Sequence, residues 1–211
     1  RREEAASRDA FIQAAGDLSV RRREAAVRLD EAVARELGPL KLGKAMFVTQ
    51  VTSLDEDDWS ERGADKVVFE AATNPGTPPG PLNRIASGGE LARFTLALKV
   101  VLASADPVPT IIFDEVDNGV GGAVAAAVGE RLAKLAEDFQ VVGVTHSPQV
   151  AARGNHHWRV SKSDSGRGTR TTVDALSETS RKEEIARMLA GARVTDEARA
   201  AAGSLLKDHE T

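Results

Sequence analysis

The sequence predicts an α/β fold, a mostly parallel sheet with crossover helices, preceded by one long N-terminal helix. Three observations carry that expectation. Residues 1–37 contain no proline and repeat apolar side chains every three or four positions. The middle third alternates short apolar runs (110–113, 140–145) with amphipathic stretches (89–104, 123–137). Strands this short, separated by helices, pair in parallel through crossovers and present ligands at their carboxyl ends.

Taken in order, residues 1–37 place Phe11, Ala15, Leu18, Ala25, Leu29, Ala32 and Val33 on a narrow seam, interrupted by Arg22. Such a seam suits an amphipathic surface helix or one arm of a coiled coil. Gly38-Pro39 ends it. Val- and Phe-rich runs at 45–52 and 66–72 read as strands around a solvated acidic loop at 55–58. The proline-rich segment 74–81 reads as an irregular loop. Helix 89–104 buries Leu91, Phe94, Leu98, Val101 and Leu102, and helix 123–137 buries Val124, Val128, Leu132 and Leu135. Runs 157–162 and 170–174 are strands around the turn 163–168. Ser180-Arg181-Lys182-Glu183 has the capping-box pattern and opens a helix to Ala190. The tail from Val194 reads as a solvated helix.

Composition narrows the class. Hydrophobic residues at 41% and charged residues at 28% are ordinary for a globular chain of 211 residues. A net charge of −4 lacks the basic excess typical of direct nucleic-acid binding. Arg21-Arg22-Arg23 is a candidate basic patch, although such runs are usually solvated helix faces. The absence of cysteine excludes disulfides and thiolate metal sites, in keeping with a cytoplasmic protein. No apolar run approaches the ~20 residues of a membrane helix. The longest, 94–103, contains Lys99. The chain opens at Arg1 inside a helical pattern and reads as a fragment of a longer protein.

Four places carry chemistry. Asp114-Glu115 directly follows the apolar run Ile111-Ile112-Phe113, so a buried strand delivers two adjacent carboxylates to a sheet rim. One can hold Mg²⁺ through oxygen ligands, and the next, facing the other way, can orient or deprotonate a water. A solvated acidic turn is the plain alternative. Ser87-Gly88-Gly89-Glu90 opens helix 89–104 and has capping-box spacing, which can serve only to start a helix. Two adjacent glycines suit that job poorly and favour close approach of bare backbone N–H groups to a phosphate. His146 ends the strand 140–145, where it is either merely exposed or a donor to a phosphate oxygen. Asp117-Asn118-Gly119 is a turn that either follows ordinary left-handed preferences or lies at the site.

Two patterns are decoys. Gly38 to Ala45 matches the phosphate-loop pattern at all but the last position, but it follows a helix, enters a strand and lacks the hydroxyl ligand. His156-His157 are adjacent, so on a strand they point to opposite faces and make a poor metal pair.

In this order the elements resemble an ABC-type ATPase. Ser87-Gly88-Gly89-Glu90 resembles its signature motif, and residues 111–115 its Walker B strand with the following glutamate. Asp117 resembles the D-loop and His146 the switch histidine. The wording of 86–93, 113–119 and 144–152 is similar to the SMC-like ATPases of bacterial double-strand-break repair. The likeness runs from about Leu82 through Lys162. Ala92, Asn118 and Ser147 depart from that pattern without removing a catalytic group.

The resemblance implies residues 1–37 as the returning coiled-coil arm and 38–211 as the C-terminal lobe of an ATPase head, with the phosphate loop in a separate N-terminal lobe. It implies ATP and Mg²⁺ as cofactors. Asp114 would serve the metal, Glu115 would activate water, and His146 would touch the γ-phosphate. Ser87, Gly88, Gly89 and Glu90 would reach nucleotide on a second head, with Asp117 at the dimer seam. Expected partners are that second head, the N-terminal lobe and, through the full-length protein, DNA. No membrane is expected, and the expected location is cytoplasmic, associated with the nucleoid. The competing expectations are the nucleotide-binding subunit of an ABC transporter and a structural dimerisation module without hydrolysis.

Overall fold

The structure, a computed structural model, describes residues 2–84, 88–103, 109–164, 168–191 and 193–207. The chain divides into two compact units, residues 1–102 and 103–211.

The first unit is built on α1 (Arg2–Leu37), about 54 Å long at 1.5 Å per residue. It packs against a three-stranded antiparallel sheet of β1 (Met46–Ser53), β2 (Asp65–Ala72) and the two-residue β3 (Gly80–Pro81). The buried face of α1 is Ala15, Ser19, Ala26, Val33 and Leu37. This face is rotated from the expected seam, since Leu18 and Ala25 lie outside it. Small side chains at 15, 19 and 26 let the backbones approach closely, and polar bonds fasten the contact. Ser19 Oγ donates to Asp65 Oδ2 at 2.6 Å, and Arg22 Nη1 donates to the same oxygen at 3.2 Å. Arg22 Nη2 also donates to the Arg62 carbonyl at 2.7 Å. Arg22 is therefore a clamp on the hairpin loop and not a free member of a basic patch. In that loop Gly63 has φ +99°, and a Cβ there would meet Leu18 Cδ2 at 3.1 Å and Arg22 Nη1 at 3.2 Å. Higher up, the rings of Phe11 and Trp59 lie 5.4 Å apart, and Arg8 pairs with Glu56 at 2.6 Å.

Beyond Leu37 the chain makes one wide helical turn, Gly38–Leu42, which buries Leu40 and Leu42 and contains Lys41 at φ 55°. It runs into β1, so the near-match to a phosphate loop joins helix to strand as its context implied. Segment 74–81 is less irregular than expected, because Gly80–Pro81 pairs with Glu70 and Ala71 of β2. α2 (Gly88–Leu102) closes the unit with Phe94, Leu96 and Ala97 buried.

The second unit opens with β4 (Thr110–Asp114), the crossover helix α3 (Gly122–Leu135) and β5 (Gln140–Val144). β4 and β5 pair in parallel, with Asp114 opposite Val144. The short α4 (Pro148–Arg153) follows, then the antiparallel hairpin β6 (Trp158–Asp164) and β7 (Thr169–Ala175). α5 (Glu178–Ala190) and α6 (Asp196–Lys207) complete it. α5 is capped by Ser177, whose hydroxyl accepts from Ser180 N, so Ser180 lies inside the helix and does not cap it. α6 is not solvated all round. Its Ala202 is buried with Ile185 and Ala186 of α5 and Ala152 of α4. Arg181 joins these parts, donating from Nη2 to the carbonyls of Ala151, Ala152 and Gly154, which leaves the end of α4 satisfied.

Candidate functional site

β4 is short and follows Pro109. Its Phe113 turns inward, at 8% exposure, and alternation places Asp114 outward at the carboxyl end. At Glu115 the strand breaks. Its φ of 48° is left-handed, a region glutamate rarely adopts, and the break turns its side chain away from the strand's alternation. The turn is closed by Asn118 N donating to the Glu115 carbonyl at 2.9 Å, with Gly119 at φ 72°. Asn118 Nδ2 reaches Glu115 Oε2 at 3.3 Å. Both carboxylates are exposed, whereas Val116 and Asp117 are 3% and 2% exposed.

The neighbouring strand ends at the same rim. Glu115 N donates to the Val144 carbonyl at 3.0 Å, extending the parallel ladder one step. Thr145 follows, then His146 in an exposed bend, then Ser147 as the cap residue of α4. Asp114, Glu115, Asp117 and His146 therefore leave two adjacent strands at one end, the end at which open α/β sheets place ligands. Thr145 had drawn no attention in the sequence. Its Oγ1 donates to Asp117 Oδ2 at 2.5 Å and accepts from Ser147 N at 2.9 Å. The available signal was a single hydroxyl ending the apolar run 141–144, directly before the histidine.

Gly88, Gly89 and Glu90 form the first turn of α2, where backbone N–H groups have no partner within the helix. A Cβ at Gly88 would meet nothing within 4 Å among the described residues. Glu90 acts electrostatically on Arg93, whose pKa burial lowers. Ser87 lies outside the described residues. Among the described residues no three His, Cys, Asp or Glu side chains cluster as a metal site. Asp114 would offer a single exposed carboxylate. That suits Mg²⁺, which keeps waters and substrate phosphates as its other ligands.

No protein-family model matches the chain. Among curated proteins it is 45% identical over 196 residues to the DNA repair protein RecN of Xylella fastidiosa, covering 93% of this chain and 35% of that protein. The RecN of Rickettsia felis is 45% identical over 93% of this chain and 36% of its own length. The RecN of Haemophilus influenzae is 41% identical over 90% of this chain and 34% of its own. The chain is a RecN homologue.

It spans about a third of the length of these RecN relatives. Its fold is that of SMC heads. The Smc head domain of Pyrococcus yayanosii, solved with a coiled coil and joint, matches with a TM-score of 0.59 at 17% identity, over 87% of this chain and 34% of that one. The Smc head of Pyrococcus furiosus, solved bound to the C-terminal domain of ScpA, matches with a TM-score of 0.54 at 17% identity, over 89% and 46%.

Proposed function

We propose that this chain is the C-terminal lobe and returning arm of an ATP-hydrolysing head that pairs with a second head around ATP in double-strand-break repair. The observation that carries the reading is the shared rim of β4 and β5, which presents Asp114, Glu115 and His146 from adjacent strand ends. Residues 1–37 form the arm and 38–211 the lobe. An exposed apolar pair on α1 supports the arm: Val20 and Val27, seven residues apart, are 53% and 60% exposed, off the helix's buried face. β4–β5 supports a missing lobe. Parallel sheets are ordinarily covered on both faces, yet Ile112 and Val144 are 69% and 51% exposed.

In this reading Asp114 would hold Mg²⁺ brought with ATP, and the ion would supply neutralisation of phosphate charge. Glu115 accepts a proton from the attacking water, and His146 donates a hydrogen bond to a γ-phosphate oxygen. Ser87 and the N–H groups of Gly88, Gly89 and Glu90 contact the γ-phosphate bound by the second head, across a seam formed by the Asp117 turn. The phosphate loop comes from the N-terminal lobe. The protein works in the cytoplasm on nucleoid DNA, and among the described residues no helix is long and apolar enough to cross a membrane.

Glu115→Gln in the full-length protein is the direct test. Loss of a general base lowers turnover by about 10²–10⁴-fold, while ATP binding survives. ATP-bound head dimers should then accumulate in size-exclusion chromatography. Unchanged hydrolysis without dimers would remove Glu115 from this role. Stimulation of the wild-type ATPase by DNA separates repair from transport, and its absence would favour a transporter subunit.

A further inference from the structure

We propose that Thr145 is a positioning residue for hydrolysis, holding the His146 loop in register with the Glu115 turn through the buried carboxylate of Asp117. The proposal rests on the head-ATPase reading above and adds one residue to it.

The ladder between β4 and β5 ends at Asp114 and Val144. Past that point two loops leave side by side, joined by a single backbone bond, Glu115 N to the Val144 carbonyl. Side chains supply the rest of the link. The Asp117 side chain is turned inward, and its Oδ2 accepts the hydroxyl of Thr145. The same hydroxyl oxygen accepts Ser147 N. One Oγ1 thus acts as donor to the first loop and acceptor within the second. His146 sits between the two residues that it holds.

The fold alone does not call for a hydroxyl there. Valine has the same shape and an equal strand preference, and the run 141–144 is otherwise apolar. A hydroxyl donating to a carboxylate makes a charge-assisted bond, stronger than a neutral one. Asp117 Oδ1 has no partner among the described residues, which makes Thr145 the donor that this carboxylate retains. Without it, the buried carboxylate loses that partner and the His146 loop loses its side-chain tie to the neighbouring turn.

The experiment compares the full-length wild type with Thr145→Val, Thr145→Ser, His146→Ala and the Thr145→Val/His146→Ala double variant, measuring kcat, KM for ATP and thermal melting. Misplacement of a catalytic group by about 1 Å costs about a hundredfold. Thr145→Val is therefore expected to lower kcat by about ten- to a hundredfold, with KM within about threefold. Thr145→Ser keeps the hydroxyl and should stay within about threefold of wild type on the same scale. If Thr145 acts through His146, Thr145→Val costs less than about threefold once His146 is already alanine. An unchanged kcat in Thr145→Val, an equal loss in both backgrounds, or a serine variant as impaired as the valine would each overturn the proposal. Should the valine variant fail to fold, Thr145→Ala carries the same comparison. A wild type without ATPase activity overturns the underlying head reading and this proposal with it. An active wild type with a neutral Thr145→Val overturns this proposal alone.

Discussion

His157 sits just before β6 with Nδ1 buried and without a partner among the described residues. Burial lowers its pKa, the Arg181 charge lowers it further, and Glu184 opposes them. The folded imidazole therefore resists the proton that the unfolded one takes up around its ordinary value of 6.5. Stability from this group is complete above that pH. It falls as the pH drops from the unfolded toward the lower folded value. Thermal melting of the chain should decline as the pH falls below the ordinary imidazole value of 6.5, and His157→Gln should flatten that part of the profile. A wild-type profile already flat there would mean that His157 takes up its proton as readily in the fold as in the unfolded chain. Glu184 acts at lower pH. Its hydrogen bond with Arg187 holds its carboxyl below the usual range, so its contribution persists until stronger acid. Neither effect was legible in the sequence, where His156-His157 appeared only as a poor metal pair. His156 is exposed, whereas His157 is half-buried and feels the charges of Arg181 and Glu184 on α5.

Elements were legible where one strong signal set them. Ile111-Ile112-Phe113 followed by two carboxylates read as a strand reaching a rim, although of the three apolar residues only Phe113 is buried. The glycine pair at 88–89 marked the start of α2, and the proline- and glycine-rich spans marked turns. Faces were harder. α1 presents Ser19 and Ala26 to the hairpin because a hydroxyl can be buried when Asp65 accepts it, and hydrophobic periodicity cannot register that bond. The Ser180 pattern misled for a similar reason, since Ser177 stands three residues before Ser180 and takes its N–H. α6 looked solvated, yet its Ala198, Ala202, Leu205 and Leu206 all pack into the cluster formed with α4 and α5. The close fit of α3 against α4 hinges on Gly129. A Cβ there would meet Arg153 Cγ at 2.9 Å, the Gln149 carbonyl at 3.2 Å and Val150 Cα at 3.3 Å. Gly129→Val should force α4 outward and destabilise the unit by about 1–3 kcal/mol, read as a fall in melting temperature. Unchanged stability would show that α4 yields freely. His146 immediately precedes α4, so the same variant should also lower turnover in the full-length protein.

At the scale of the molecule, each unit carries its own buried set, and the candidate groups are divided between them: Gly88, Gly89 and Glu90 in the first, Asp114 to Asp117 and His146 in the second. The order of these motifs along the chain was readable from the sequence. The separation into units at residue 102 was not, because α2 and the run into β4 show no break in composition apart from Pro107 and Pro109. The 211-residue chain by itself should bind ATP weakly and turn over none, because the only phosphate-loop-like run joins helix to strand around Pro39. A phosphate-release assay checks this. Robust turnover by the isolated chain would sink the split-site reading.

Asp30 adds a consequence of a different kind. Its Oδ1 accepts both the backbone N–H and the hydroxyl of Thr49, at 2.9 and 2.7 Å. β1 is the outer strand of its sheet, so this carboxylate occupies a donor that would otherwise face outward. Unclaimed donors on a border strand invite another chain to zip on, the first step toward aggregation. With α1 laid along it and a negative charge at its midpoint, that border offers a passing strand little to copy.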